Sequence, residues 1–438
     1  MKKNIIFDAS VLVTSYLSDS TFKTGIYRVT YEVLLGLSRN DSYTIYLYDI
    51  YGRERELREH ITQEFKDLII LSVDSDFYRF FAYPLFNRAD YFRRIEINTK
   101  NDFIKQICHL SKNGFQFLGR ILKKIERRKN APVFPQFTKS DVYFSTYQLI
   151  PNHISFISGL QKIIIVHDLI PILHPEYFYK IDNKDLLEGI IQSISYTDKV
   201  ICVSESTRHD FLKLRPIFNS SQVYVSLLAG SSCFRPIKSN DMEIKLRNKY
   251  KLALNRDFFL SVCTIEPRKN IQLLISAYEK LLLNNTVDVP LLILTGAYGW
   301  KSQTLLENIN RINKQYPLSI ILSGFVSDEE LAVLYSNTIG FIYPSLYEGF
   351  GLPPLEAMQC GAPVITSDNS SLPEVVGEAG ILINAKDEEG LYNAMIECMN
   401  PNNKKKYHEK SIQRAKEFSW KRTVNRIIEV IEDEVKIL

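Results

Sequence analysis

No apolar run in this sequence approaches the roughly 20 residues a helix needs to cross a bilayer, so none of it reads as a membrane-spanning segment. Cysteine is scarce. The six (108, 202, 233, 263, 360, 398) show no C-x-x-C pair and no metal-ligand spacing, which excludes a zinc module. Cys202 and Cys263 lie in apolar runs and read as buried free thiols, in keeping with a reducing compartment. Charge of one sign is missing too. A net charge of +4 excludes a general nucleic-acid binder, and no nucleic-acid fold signature is present. There is no G-x-x-x-x-G-K-[ST], and no G-x-G-x-x-G opens a helix after the first strand, so kinase and dehydrogenase readings fall away. Asp74-Ser-Asp76 has the D-x-D form of metal-dependent transferases, but nothing beside it completes a metal site; it reads as a loop, and no metal ligands are named. The opening MKKNIIFDASVLV is interrupted by Asp8 and reads as a first β-strand rather than a secretory leader. The expected location is the cytoplasm.

Hydrophobic residues at 45% and charged residues at 24% are the proportions of a folded globular chain, and 438 residues are too many for one ordinary core. Strands alternate with helices, which points to parallel sheets covered on both faces. In the first half, strands are expected at 3–7, 43–48, 68–73, 142–144, 162–166, 199–203 and 223–228, with helices at 26–37 and 185–196. The pattern restarts near Phe258 with six short strands, FFLSVCTI, LLILTG, SIILSG, GFIYPS, PVITSD and GILIN. Both halves look like doubly wound, Rossmann-like α/β units. The connection LAGSSCFRPIKSND, residues 228–241, lacks periodicity and holds the boundary. The expected organisation is a first domain over 1–235, a second over 236–418, and a terminal amphipathic helix over 419–438.

Residues 76–138 stand apart as an aromatic and basic insertion. Lys112 to Lys129 holds seven basic residues and one acid, Glu126, and Phe117, Leu118, Ile121, Leu122 and Ile125 fall at helical spacing. The segment has two readings: a surface resting on anionic lipid at the inner face of the cytoplasmic membrane, or a solvated basic face with its apolar side on the core.

The most informative stretch is EGFGLPPLEAMQCGAPVI, Glu348 to Ile365. Glu348 and Glu356 stand eight positions apart. Gly349 and Gly351 permit a turn that side chains would block, and Pro353-Pro354 suit the first turn of a helix. That helix start offers N–H groups and a positive dipole end to an anion such as a diphosphate. A carboxylate on either side can accept from a polyol. A nucleotide sugar presents sugar, diphosphate and ribose in that order. TIEPRKN, Thr264 to Asn270, follows the first strand of the second half. Its Lys269, with the planar fork of Arg268, suits the charge that develops on a leaving diphosphate, without a metal. IIIVHDLIP places His167 and Asp168 at the carboxyl end of a strand, the edge where open α/β sheets bind ligands. His167 either donates to a sugar hydroxyl or caps its own strand; Asp168 fixes the loop. SGFVSDEEL has Gly324 at a strand end and a helix cap at Ser327-Asp328. Gly25, ahead of the first long helix, allows close approach of backbone to a ligand.

The run from Thr338 to Ile383 around Glu348 resembles the donor-binding core of retaining glycosyltransferases of family four, with their E-x7-E motif. The resemblance extends, less strongly, over nearly the whole chain. It implies the GT-B fold, two Rossmann-like domains facing across a cleft. It implies that Glu356 accepts from ribose and Glu348 from the sugar, helped by the backbone of Gly349, Phe350, Gly351 and Leu352. Lys269 matches the family's lysine, whereas the arginine expected five positions earlier is Thr264; Arg268 is the substitute cation. The resemblance further implies that His167 touches the donor sugar, that backbone at Gly324, Phe325 and Val326 meets the nucleobase, and that Gly25 approaches the diphosphate. TIEPRKN and HDLIP together resemble bacterial O-antigen and capsule mannosyl-, rhamnosyl- or fucosyltransferases. The expected activity is a retaining, metal-independent transfer of a hexose or deoxyhexose from a nucleotide diphosphate sugar, GDP-mannose first. The acceptor would be a glycan or a polyprenyl-diphosphate-linked glycan. No cofactor is expected. The competing readings are a sugar-nucleotide epimerase or hydrolase on the same fold, and a non-catalytic nucleotide-sugar-binding protein.

Overall fold

The structure, a computed structural model, describes residues 2–17, 25–61, 65, 68–71, 106–107, 109–111, 113–114, 118, 138, 140–178, 182–237, 240–250, 256–284, 289–297, 299 and 303–433. The Asp74–Asp76 loop, Cys108 and most of the basic-aromatic segment lie outside these residues. Two compact units divide the chain, Met1–Gln161 and Lys162–Leu438.

In the first unit, β1 (Lys3–Asp8), β2 (Tyr43–Tyr48), β3 (Ile69–Ile70) and β4 (Val142–Ser145) run parallel in the order β3-β2-β1-β4. Ile5, Ile6 and Phe7 are all fully buried. Consecutive burial, rather than alternation, marks a strand covered on both faces. The helix Gly25–Ser38 buries Tyr27, Val29, Val33, Leu34 and Leu37, the helical stripe legible in the sequence.

In the second unit, β5 (Gln161–Val166), β6 (Lys199–Cys202) and β7 (Val223–Val225) are parallel neighbours in that order. The helix before β6 spans Asp182–Ser193 and so stops short of the expected Tyr196. Asp198 Oδ2 takes the Ser195 N–H at 2.7 Å, drawing the chain out of the helix. β7 stops at Val225 instead of Leu228: the Ser226 N–H still reaches the Cys202 carbonyl of β6 at 2.9 Å, but the Ser226 side chain and the Leu227 carbonyl bond a helix. Ser226 Oγ donates to the Thr423 carbonyl at 3.2 Å, and Thr423 Oγ1 donates to the Leu227 carbonyl at 2.7 Å.

The second sheet of this unit has six parallel strands: β8 (Phe258–Val262), β9 (Leu291–Thr295), β10 (Ile320–Gly324), β11 (Gly340–Tyr343), β12 (Val364–Ser367) and β13 (Ile381–Ile383). Their order is β10-β9-β8-β11-β12-β13. Direction of travel reverses between β8 and β11, which makes their carboxyl ends the topological switch point where open α/β sheets bind ligands. Beneath it, Leu274, Tyr278 and Leu281 of the helix Ile271–Asn284 pack with Leu292, Ile342, Ile365 and Met395 in one apolar cluster.

The terminal helix Trp420–Glu432 buries Val424, Ile427, Val430 and Ile431. Its last turn is capped by Lys199, whose ammonium donates to the carbonyls of Val430 and Asp433. Among the described residues no helix is long and apolar enough to cross a membrane. Cys202 is buried as its apolar run implies, but Cys263 is only partly so, since β8 has ended one residue before it.

Candidate functional site

The switch point brings TIEPRKN and the EGFG turn together, because β8 and β11 are adjacent. After β8 the chain makes a tight turn at Pro267–Lys269 and then holds Asn270 in the left-handed region at φ 55°. That conformation is costly for most side chains but tolerated by asparagine. The Asn270 amide also donates to the carbonyls of Pro344 at 3.0 Å and Ala385 at 2.8 Å, fixing the turn against the end of β11. The Arg268 carbonyl in turn accepts from the Leu346 N–H at 2.8 Å and from Ser345 Oγ at 3.1 Å.

Glu348 sits at the centre. Its Oε1 accepts from Lys269 Nζ at 2.5 Å, Ser345 Oγ at 2.7 Å and the Tyr343 hydroxyl at 2.9 Å. Its Oε2 pairs with Arg268 Nη1 at 2.8 Å. Lys269 also donates to the Tyr343 hydroxyl at 2.6 Å, and Arg268 Nη2 reaches Glu266 Oε1 at 2.8 Å. Burial alone would raise the Glu348 pKa; Lys269 and Arg268 overcome it and hold the carboxylate at about 2. For Arg268, burial opposes the charge and Glu348 restores it, so the guanidinium stays charged. The buried Arg268 Nε–H makes no hydrogen bond among the described residues. A buried donor left unpaired is costly, which favours an acceptor there.

The turn after Glu348 is held by its own backbone. Ser370 Oγ accepts from the Glu348 N–H at 3.0 Å. Ser371 Oγ donates to the carbonyls of Glu348 at 3.0 Å and Phe350 at 2.7 Å. Gly349 is wedged so closely under the chain from His167 to Asp168 that no side chain fits. Its carbonyl accepts from Ser204 Oγ at 2.7 Å and Thr207 Oγ1 at 3.1 Å, both beyond the end of β6. Gly351 has φ 116°, a conformation for glycine, and opens the helix Leu352–Gln359. Pro353 and Pro354 carry no N–H, so the backbone donors facing an anion at this helix start reduce to the amides of Gly351 and Leu352. The Phe350 ring is buried edge-on against Phe418. Glu356 lies within this helix and is buried like Glu348.

His167 lies just past β5, partly buried, with its carbonyl accepting from Thr207 Oγ1 at 3.4 Å. Asp168 Oδ1 accepts the Ile170 N–H at 3.1 Å, so it does hold its loop. Gly324 ends β10 at φ 67°, Phe325 is 54% exposed and Val326 is buried, with Ser327 capping the next helix. Gly25 is the first residue of its helix in the first unit. Among the described residues, then, the structure joins Lys269, Arg268 and Glu348 in one ion cluster and sets Gly349 against His167 and Asp168. Sequence reasoning missed Tyr343, Ser345, Ser370 and Ser371. The signal was a tyrosine and a serine flanking Pro344 at the end of an apolar strand, polar groups that burial obliges to find partners.

Comparison with known proteins places these features. The family described as Glycosyl transferases group 1 matches residues 242–418. The chain is 33% identical over 265 residues to O-antigen chain mannosyltransferase B of Escherichia coli, covering 60% of this chain and 68% of that protein. It is 32% identical over 277 residues to the serotype-specific mannosyltransferase WbdA of Escherichia coli, covering 61% of this chain but only 33% of that longer protein. The fold matches that of Anabaena HepE in complex with UDP, with a TM-score of 0.62 at 17% identity over 98% of this chain and 99% of that one. The sucrose-phosphate synthase of Thermosynechococcus elongatus gives a TM-score of 0.62 at 16% identity over 98% of both chains. The architecture is GT-B, with two parallel-sheet, Rossmann-like domains.

Proposed function

The chain belongs to the group 1 glycosyltransferases, and from that premise we propose that it moves a mannosyl residue from a nucleotide diphosphate sugar, GDP-mannose first, to a glycan of bacterial surface polysaccharide. One observation carries the chemistry: Lys269 and Arg268 converge at the switch point on Glu348, 2.5 and 2.8 Å away. Breaking the bond from sugar C1 to the diphosphate leaves negative charge on a phosphoryl oxygen. Two fixed cations in a desolvated pocket stabilise that charge without reorganising, and the unpaired Arg268 Nε–H is a further donor for it. In this reading no metal is needed. Glu348 keeps both cations in place and takes hydrogen bonds from the sugar. Glu356 takes them from ribose, and the backbone of the turn at Gly324–Val326 meets the base. His167 lies beside the sugar, and transfer keeps the anomeric configuration. The acceptor is a glycan on a polyprenyl diphosphate, presented at the inner face of the membrane; the likeness to an O-antigen chain mannosyltransferase supports a surface-polysaccharide glycan.

The test begins with a panel of GDP-, UDP- and dTDP-sugars, reading which one raises the melting temperature of the purified protein. Radiolabelled GDP-mannose is then offered with a lipid-linked glycan. The expected result is label in the lipid fraction, undiminished by a chelator. Lys269→Ala should lower turnover roughly 100- to 1000-fold. Strict dependence on an added metal, or release of free mannose without any acceptor, contradicts the proposal.

A further inference from the structure

Around the two cations stand three carboxylates. Glu348 bonds both Lys269 and Arg268, and Glu266 bonds Arg268. Asp168 is the third, and it bonds neither. Its Oδ1 takes the Ile170 N–H, and Oδ2 has no partner among the described residues. Yet it belongs to the same cluster. Its Cβ packs 2.7 Å from where a Cβ on Gly349 would stand, next to Glu348 in the chain. The charged groups that act on it are Arg268 and Lys269 from the turn after β8 and Glu348 from the loop after β11; His167 is its neighbour in sequence.

A doubly charged diphosphate arriving here, as the proposed function requires, would meet two positive and three negative side chains. Two of the carboxylates are neutralised by direct ion pairs. The one that can shed its charge at least cost is the one without an ion pair. We propose that Asp168 is a donor-binding residue that, with the diphosphate bound, holds a proton at Oδ2 and donates a hydrogen bond from it to a phosphoryl oxygen of the nucleotide sugar. Burial favours the same state, raising the Asp168 pKa above its ordinary value against the pull of the Ile170 N–H and Arg268. Diphosphate binding favours it further. Binding therefore takes up a proton whenever the free enzyme has lost one, and donor affinity falls as pH rises through the raised pKa. No bond is made or broken by Asp168; it holds a proton at Oδ2.

The experiment measures the dissociation constant of GDP-mannose by calorimetry from about pH 4.5 to pH 8 for the wild type, Asp168→Asn and Asp168→Ala. The diesterified phosphates of that ligand keep their charge throughout. Asparagine retains the acceptor for Ile170 and a neutral donor. Affinity of the wild type should weaken with pH, by up to about tenfold per unit. Asp168→Asn should bind as the wild type does at low pH and stay flat. Asp168→Ala should also be flat but weaker. His167 is present in all three, so a pH dependence that persists in Asp168→Asn does not come from Asp168. The same pH dependence in Asp168→Asn as in the wild type overturns the inference. So does a Asp168→Asn enzyme that binds normally but turns over at least 100-fold more slowly, which would make Asp168 a base. If no nucleotide sugar of the panel binds either protein at any pH, the proposed function itself fails, and this inference with it.

Discussion

An ideal Cβ built on Gly349 would stand 2.2 Å from the carbonyl oxygen of His167. Backbone, not a flexible side chain, occupies the space, so the strand end that bears His167 and the turn that bears Glu348 are registered by direct contact. Gly349→Ala should force the two apart. The expected outcome is a loss of roughly 1–3 kcal/mol in denaturant unfolding, with donor affinity falling as well. Gly324 is the control. Unlike Gly349 it has a positive φ, of 67°, but a Cβ there meets nothing within 4 Å. Gly324→Ala should cost only the left-handed strain of roughly 1–2 kcal/mol. Equal donor affinity in Gly349→Ala and the wild type would show that the contact is structural alone.

This contact also marks the limit of what the sequence discloses. The strands of the second half, the helix at Leu352–Gln359 and the spacing of Glu348 from Glu356 were legible because apolar runs, glycines and prolines act locally. Lys269 and Arg268 were read as candidate site cations for the same reason, standing just past a strand end. Their principal partner was not. Sequence assigned the cations to the phosphate and Glu348 to the sugar, whereas in the structure they bond one another, since two cations buried at a sheet's edge require a counter-charge. That pairing joins positions 79 and 80 residues apart through the adjacency of β8 and β11, which no local pattern encodes. The early ends of the helix before β6 and of β7 were hidden in the same way. Asp198 and Thr423, not propensity, set them.

Glu348 should make stability depend on acid. Its folded pKa of about 2 lies below the ordinary 4.5, so the ion cluster contributes fully above pH 4.5 and is lost as pH falls toward 2. Glu348→Gln keeps the shape but leaves Lys269 and Arg268 without their shared counter-charge. Removing one partner of a buried pair costs roughly 3–5 kcal/mol, so the variant should be less stable than the wild type by an amount of that order at neutral pH. The gap should narrow as both proteins are titrated from pH 5 to the lowest pH at which they stay folded. Urea unfolding at each pH reads it directly. A gap that stays constant over that range would mean that packing, not charge, accounts for the loss.

Lys199 offers a prediction remote from the chemistry. Its side chain is fully buried at the start of β6, and its ammonium donates to the Val430 carbonyl at 2.6 Å and to the Asp433 carbonyl. Those carbonyls end the helix Trp420–Glu432, where the final turn has no N–H of its own to offer and the dipole favours a cation. Lys199→Met keeps an unbranched stem of similar length and removes the charge. The last carbonyls then lose a charge-assisted partner, and stability should fall by about 2–3 kcal/mol. The damage should be local. Amide hydrogen exchange should quicken in the last turns, from Ile427 to Glu432, while Val200 and Ile201 of β6 keep their protection. If exchange in β6 quickens as much as in the helix, the lysine stem fills the core and capping is secondary. If neither changes, the terminal helix is held by Val424, Ile427 and Ile431 alone, and the buried ammonium contributes nothing to its anchorage.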